Sequence, residues 1–415
     1  MRWRLALATT SVVTALLAGS GARAWAGGCD APELSGCVDS DTLWAHAGPQ
    51  RFVGVAGTET LASGRVGFGL LASYQSRPIM LEHATGASTS ERFAAIDNQI
   101  NASFLFAYGL TNRLQADVVL PFTLWQDGTG VQPLTGGRPL STSSARDMRF
   151  GLAFALVPRA RVTEGVAPAA GGLEAGRAWS LTARFEVSAP TGDRGQLAGD
   201  RTAVLAPSLA ADFRPQHPFW GRFSIALDVG ARLRGTTSLL GSRVGSQLAL
   251  GLGVGFDILG RDRLVVGAEA RTLPTFATQA DAQQTNGLIT TTPNGRVAAP
   301  TEWLVSLRTA PLAGGDLSVQ LAAGGPIPIS DAIGTPRLRV TLGVVFAPGA
   351  RDSDGDGVLD ADDKCPDVAG VLRGDAGPGC PHVELPPLPP PLPDPRPLLP
   401  PADPDYQPVR TWTAP

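Results

Sequence analysis

Lysine is almost missing from this chain: Lys364 is the only one, and every other basic side chain apart from histidine is arginine. Together with abundant alanine, glycine and proline, this usage follows genomic base composition rather than chemistry. The formal net charge is only -3 over 415 residues, which gives no electrostatic ground for a nucleic-acid partner. Histidine is scarce too. His46, His83, His217 and His382 are scattered, with no HExxH or similar spacing, and the sequence offers no gathered nucleophile and base, so no enzyme is expected. The 4 cysteines fall into two local pairs, Cys29 with Cys37 and Cys365 with Cys380. Neither pair has CxxC spacing or neighbouring histidines, which removes a metal-thiolate site and leaves two small disulfide loops suited to an oxidising compartment. After the first two dozen residues no apolar run is long enough for a membrane helix. "GLGVGFD" (Gly251 to Asp257) is only a fragment of a glycine-rich nucleotide loop, and inside an alternating segment it supplies small inward-facing residues.

Several features are present in their place. Met1 to Arg4 is basic, "LALATTSVVTALLAG" is apolar, and "ARA" or "AWA" supplies small residues for cleavage after Ala24 or Ala26. Residues 1–24 therefore read as a secretory signal peptide. Residues 25–63, with the Cys29/Cys37 loop, are expected to form an N-terminal segment in the periplasm.

From 64 to 347 one pattern repeats: apolar and polar residues alternate for about ten positions, then break. In "GRFSIALDVGARLR", Phe223, Ile225, Leu227, Val229, Ala231 and Leu233 oppose Arg222, Ser224, Asp228, Arg232 and Arg234. Period two means strand. About a dozen such segments follow one another, each long enough to cross a bilayer when tilted. Their connections alternate between short turns ("GLTN", "RPQHPFW", "GRD", "PLAGG") and long polar stretches near 75–98, 126–147 and 273–299, with 158–178 the exception. The expected fold is all-β: a transmembrane, antiparallel, up-and-down barrel of about twelve strands in an outer-membrane lipid bilayer, rather than a soluble sandwich. The polar face places Arg65, Arg113, Asp117, Arg149, Arg184, Glu186, Asp228, Arg232, Glu269, Arg271, Arg308, Arg337 and Arg339 toward the lumen. Two arrangements satisfy those charges: they line a water-filled passage, or they pair across the lumen and close it. Mixed signs argue against strong ion selectivity.

"YGLTNRLQADVVLPF" (Tyr108 to Phe122) and "VSAPTGD" (Val187 to Asp193) resemble hairpin motifs of bacterial outer-membrane barrels. The strand ending at Phe346 resembles the C-terminal signal read by the barrel-assembly machinery, departing from it at Thr341. That resemblance implies the outer membrane as location and the machinery as a partner during biogenesis.

"RDSDGDGVLDADDKCPD" (Arg351 to Asp367) packs seven aspartates into one short stretch. Asp352, Asp354, Asp356, Asp360 and Asp363 take positions 1, 3, 5, 9 and 12 of a calcium loop, Gly357 allows the turn, and the Val358 carbonyl supplies another oxygen. Asp at position 12 and flanks that are not amphipathic helices exclude an EF-hand. Residues 351–381 instead resemble a thrombospondin type 3 repeat, in which aspartate-rich loops bind Ca2+ and Cys-Pro follows; Cys365-Pro366 and Cys380-Pro381 match it. A barrel followed by such a repeat resembles the OmpA-type family, but residues 382–415 are a proline-rich tail and leave no room for that family's peptidoglycan-binding domain. The tail is expected to be a disordered, extended spacer or docking peptide for a periplasmic or cell-wall partner. The overall expectation is an outer-membrane barrel with a periplasmic calcium-binding repeat in an envelope role. The alternatives are a porin-like channel for small solutes and a secreted calcium-dependent adhesion protein.

Overall fold

The structure is a computed structural model. It describes Cys29, residues 33–348 with interruptions at 85–89, 136–138, 160–177, 216–218, 260–262, 286–287, 313–315 and 329–331, then Val358 and residues 363–365, 368–371 and 374–382. Signal-peptide residues 1–24, the carboxylates Asp352, Asp354, Asp356 and Asp360, and the tail beyond His382 lie outside the described residues.

In chain order the strands are β1 (Val66–Ala84), β2 (Ser90–Gly109), β3 (Leu114–Asp127), β4 (Ser144–Ala145), β5 (Arg149–Val157) and β6 (Trp179–Ser188). They continue with β7 (Val204–Phe213), β8 (Phe223–Arg232), β9 (Thr237–Leu239), β10 (Ser242–Val244), β11 (Gln247–Asp257) and β12 (Leu264–Thr272). The last are β13 (Thr278–Thr285), β14 (Leu288–Val297), β15 (Thr301–Leu312), β16 (Leu317–Pro326) and β17 (Leu338–Phe346). Leaving out β4, β9, β10, β13 and β14, 12 strands pair antiparallel with their sequence neighbours. β17 returns to β1 in register from Phe68↔Phe346 to Ser76↔Leu338 and closes the barrel. Closure leaves no unpaired edge, the condition a sheet must meet in lipid.

The alternation sorts side chains in the reverse sense to a soluble protein. Phe68, Phe104, Phe106, Phe154, Leu209, Leu227, Val229, Val305 and Leu342 point outward and are exposed. Gln75, Gln99, Gln115, Thr182, Glu302 and Arg339 point inward and are almost fully buried. An apolar exterior around a polar interior is stable when lipid, not water, surrounds the wall. Near the short-turn end, the rings of Phe219, Trp220, Phe223 and Phe256 form a contiguous cluster, with Phe223 and Phe256 centroids 4.7 Å apart. Trp220, whose indole joins an apolar ring to an N–H, suits a membrane–water boundary at that level.

The region 75–98, read from sequence as an external loop, is instead a paired extension of β1 and β2. Pairing resumes after an irregularity between Ser76 and Ile79, where Arg77 has φ 50°. Pro78 breaks the alternation there without ending the ladder. The long stretch 273–299 holds the β13–β14 hairpin, which leans along the rim to reach β1 at Ala84↔Gln283. The exceptional connection 158–178 lies almost wholly outside the described residues.

The largest departure concerns the N-terminal segment. Residues 34–63 do not sit below the barrel in the periplasm; they are threaded through its interior. Their partners lie on strands all round the ring, an arrangement that only an internal position allows. The head of the segment joins a lid at the long-loop end: Leu34 bridges Leu239, and the Ser35 N–H donates to the Ser238 carbonyl. Val38 and Leu34 pack there with Ile79, Leu81, Ile96, Leu197, Leu239 and Ile333. The foot meets the short-turn end, where the Ser63 N–H donates to Asn112 Oδ1 at 2.9 Å.

Candidate functional site: the plugged lumen

A segment without regular structure brings unpaired N–H and C=O groups into any interior, and each must find a partner. The inward side chains of the wall provide those partners. Arg232 and Arg271 both donate to the Thr42 carbonyl, at 3.1 and 2.8 Å. Arg149 donates to the Ala45 carbonyl at 2.9 Å, Gln115 to Ala47 at 3.2 Å, Gln320 to Gln50 at 3.2 Å and Arg184 to Gly57 at 3.0 Å. On the opposite sign, the Glu269 carboxylate accepts three successive N–H groups, from Val53 at 2.8 Å, Gly54 at 2.7 Å and Val55 at 3.2 Å. Charge-assisted bonds of this kind are the stronger class.

Two ion-pair groups add to this. Arg339, with no exposed surface, lies between Asp41 of the plug (2.9 Å) and Glu302 of β15 (3.0 Å), while Arg271 reaches the same Glu302 at 2.8 Å. His46 Nδ1 lies 2.8 Å from Glu186 Oε1, and Arg149 approaches the other oxygen at 3.8 Å. The Trp44 ring sits under both Arg149 and Arg232, with the guanidinium carbons 4.8 and 4.2 Å from its centroid, a double cation–π contact.

Shape follows the same logic. The glycines of "GLGVGFD" face inward because plug side chains occupy the space a Cβ needs. A Cβ at Gly253 would stand 2.9 Å from the Phe52 ring, one at Gly267 3.1 Å from the same ring, and one at Gly251 3.2 Å from Val55. Between plug and wall remains a cavity of about 50 Å³ bordered by Trp44, His46, Glu186, Asp228, Arg232 and Arg271. It has room for a few waters.

Of the residues placed in the lumen by alternation, Asp117, Arg149, Arg184, Glu186, Arg232 and Glu269 are buried inside, and Asp228, Arg271 and Arg308 are half-buried there. Arg65, Arg113 and Arg337 are not: each is exposed, one residue before its strand begins. Alternation orients a side chain only where the ladder holds the backbone pleat. Glu302 was missed, although it shares the parity of Arg308 on one strand. Asp41, Trp44, His46 and Phe52 carried no periodic signal at all.

Above the plug, Asp147 accepts N–H groups from Gly192 and Asp200, both at 2.7 Å, in the loop between β4 and β5. Burial pushes its carboxyl up to about 7, with Asp39 and Asp200 adding to the rise against those two hydrogen bonds. Beyond the barrel both disulfides are formed, Cys29–Cys37 at the plug head and Cys365–Cys380 in the C-terminal module. In that module Val358 is buried, and Asp363 Oδ1 accepts the Cys365 N–H at 2.7 Å. Asp363 Oδ2 is buried with no hydrogen-bond partner among the described residues. Among the described residues no cluster of three or more His, Cys, Asp or Glu forms a metal site.

Among solved structures the chain is similar to an outer membrane channel from Pseudomonas putida F1, at 14% identity and TM-score 0.45, over 71% of this chain and 99% of that one. It is similar to the NanC porin at 8% identity and TM-score 0.37, over 67% of this chain and 98% of that one. The outer membrane phospholipase A from Escherichia coli follows at 12% identity and TM-score 0.29, over 67% and 92%. No protein-family model and no curated protein matches the chain.

Two outcomes follow from this geometry. Arg339→Met leaves Asp41 and Glu302 as buried carboxylates without their shared cation, a loss of about 3–5 kcal/mol; limited proteolysis of the detergent-solubilised protein should then cut between residues 41 and 58, which the parent chain protects. Asp147 binds its proton more tightly in the folded lid than in the unfolded chain, so the lid gains stability as pH falls from about 7 toward ordinary carboxylate values and loses it as pH rises. Nicking within residues 190–200 should be slower at acid than at alkaline pH, and Asp147→Asn should flatten the difference.

Proposed function

We propose that this chain is an outer-membrane β-barrel channel for small solutes, held shut in this state by its own N-terminal segment. The observation that carries the reading is how the lumen charges are satisfied. Arg149, Arg232, Arg271 and Glu269 bond to the peptide groups of a segment that is not part of the wall, Arg339 to its Asp41 and Glu186 to its His46, beside the wall–wall pairs that Glu302 makes with Arg271 and Arg339. With that segment gone, those groups face water, as the lining of an open passage does. The short-turn end then faces the periplasm, and the lid and plug head face outward. The exposed belt of Phe, Leu and Val supports a lipid surrounding and speaks against a secreted soluble adhesin. The strand ending at Phe346 is the segment the barrel-assembly machinery would read, and the proline-rich tail would extend to a periplasmic or cell-wall partner.

Planar-bilayer recording of the full-length protein tests the reading. Asp41→Asn removes one partner of Arg339, and the variant should open severalfold more often than the parent, which should be closed most of the time. Silence from both, in preparations whose unheated gel band shows a folded barrel, would overturn it in favour of a purely structural envelope role.

A second reading concerns the C-terminal module, a stalk that binds one Ca2+ through Asp352, Asp354, Asp356, the Val358 carbonyl, Asp360 and Asp363. Asp363 Oδ2, buried and without a partner among the described residues, supports it. Calorimetric titration of the whole protein with calcium should show one saturable heat that Asp354→Asn abolishes; identical traces from both proteins would rule it out.

A further inference from the structure

The plug is held through its peptide groups as well as through the side chains of Asp41, Trp44 and His46. Wall donors take the carbonyls of Thr42, Ala45, Ala47, Gln50 and Gly57, and Glu269 takes three N–H groups in a row. Small residues are interspersed along the same stretch: Ala45, Ala47, Gly48, Gly54, Ala56 and Gly57. Two large rings stand among them: Phe52 packs against Gly253 and Gly267, and Trp44 is clamped by Arg149 and Arg232 beside the open cavity. A wall built this way reads the main chain of a bend-free stretch such as residues 42–47, together with aromatic side chains. That is how peptide-binding grooves work, with main-chain hydrogen bonds for affinity and a side-chain pocket for preference.

We propose that the lumen is a receptor for short extended peptides, preferring those with an aromatic residue, and that the plug is its bound pseudo-ligand. This rests on the channel reading above. When the plug withdraws, Arg149, Arg232, Arg271 and Gln115 are left with empty donors and Glu269 with an empty acceptor. An incoming peptide offers its own carbonyls to the donors that held Thr42, Ala45 and Ala47. An oligosaccharide offers hydroxyl groups and no peptide carbonyls.

The test uses the full-length Asp41→Asn protein in planar bilayers, a change in the plug that leaves the wall intact. The probes are an N-acetylated, C-amidated hexapeptide copying Thr42–Ala47, the same peptide with alanine in place of its tryptophan, and maltohexaose as a solute of comparable length. The first peptide should block open channels at concentrations at least about tenfold below those needed of maltohexaose, since several main-chain bonds each contribute on the order of 1 kcal/mol. The alanine peptide should fall between them, and adding Arg149→Met should raise the blocking concentration of the first peptide. If Asp41→Asn fails to fold, His46→Gln loosens the same plug through Glu186 and takes its place. Open channels that peptide and maltohexaose block equally, or that neither blocks, overturn the receptor while leaving the channel standing. No openings in either folded variant overturn the channel itself.

Discussion

A guanidinium shut away from water must be neutralised and hydrogen-bonded where it stands, or the fold loses several kcal/mol. Arg339 is fully buried toward the long-loop end of the lumen, and one of its two carboxylates, Asp41, belongs to a segment that is not part of the barrel wall. The rest of the interior repeats this dependence. Glu269 needs the plug's N–H groups, Glu186 needs His46, and Arg149 and Arg232 need both its carbonyls and Trp44. Lipid decides the outer face of this wall. The plug decides the inner one.

Plug and lid act as one unit for the same reason. The head of the plug lies beside β9 and packs its leucine and valine into the apolar cluster beneath the lid, so the lid cannot lift without exposing that cluster. The foot is fixed differently, by covalent continuity into β1 and by bonds to the Asn112 turn. A segment tethered at its foot and held at its head by a lid can leave the lumen only after the head is freed. Withdrawal is then toward the short-turn end, away from the lid. The Cys29–Cys37 loop sits on the part that has to travel.

The barrel was legible because period two is imposed by geometry and survives any sequence that obeys it. All of the wall strands lie where alternation put them, and "GRFSIALDVGARLR" divides between lipid and lumen as its pattern requires. The extension of β1 and β2 past Pro78 was hidden because two irregular residues erase the pattern while leaving the ladder intact. Arg65, Arg113 and Arg337 show the converse, a pattern extended one residue too far. The plug was illegible for a deeper reason. Its conformation is set by the wall, residue by residue, and an irregular chain writes no period. Its trace lay on the wall instead, in the inward glycines at 251, 253, 255 and 267, where small residues mark space that something else fills.

The balance of charge left by the wall limits what an open state can be. Arg149, Arg184, Arg232, Arg271, Arg308 and Arg339 stand against Asp117, Glu186, Asp212, Asp228, Asp257, Glu269 and Glu302, nearly balanced and interleaved round the ring. Such a lumen presents no field of one sign along its length, so it has little means of sorting small ions by charge. What it does present is a dense set of oriented donors and acceptors a few ångströms apart. A solute gains from these only by bringing complementary groups of both kinds, closely spaced and neutral overall. The plug meets that description through its own backbone, and its Asp41 and His46 pair with wall charges where the backbone does not.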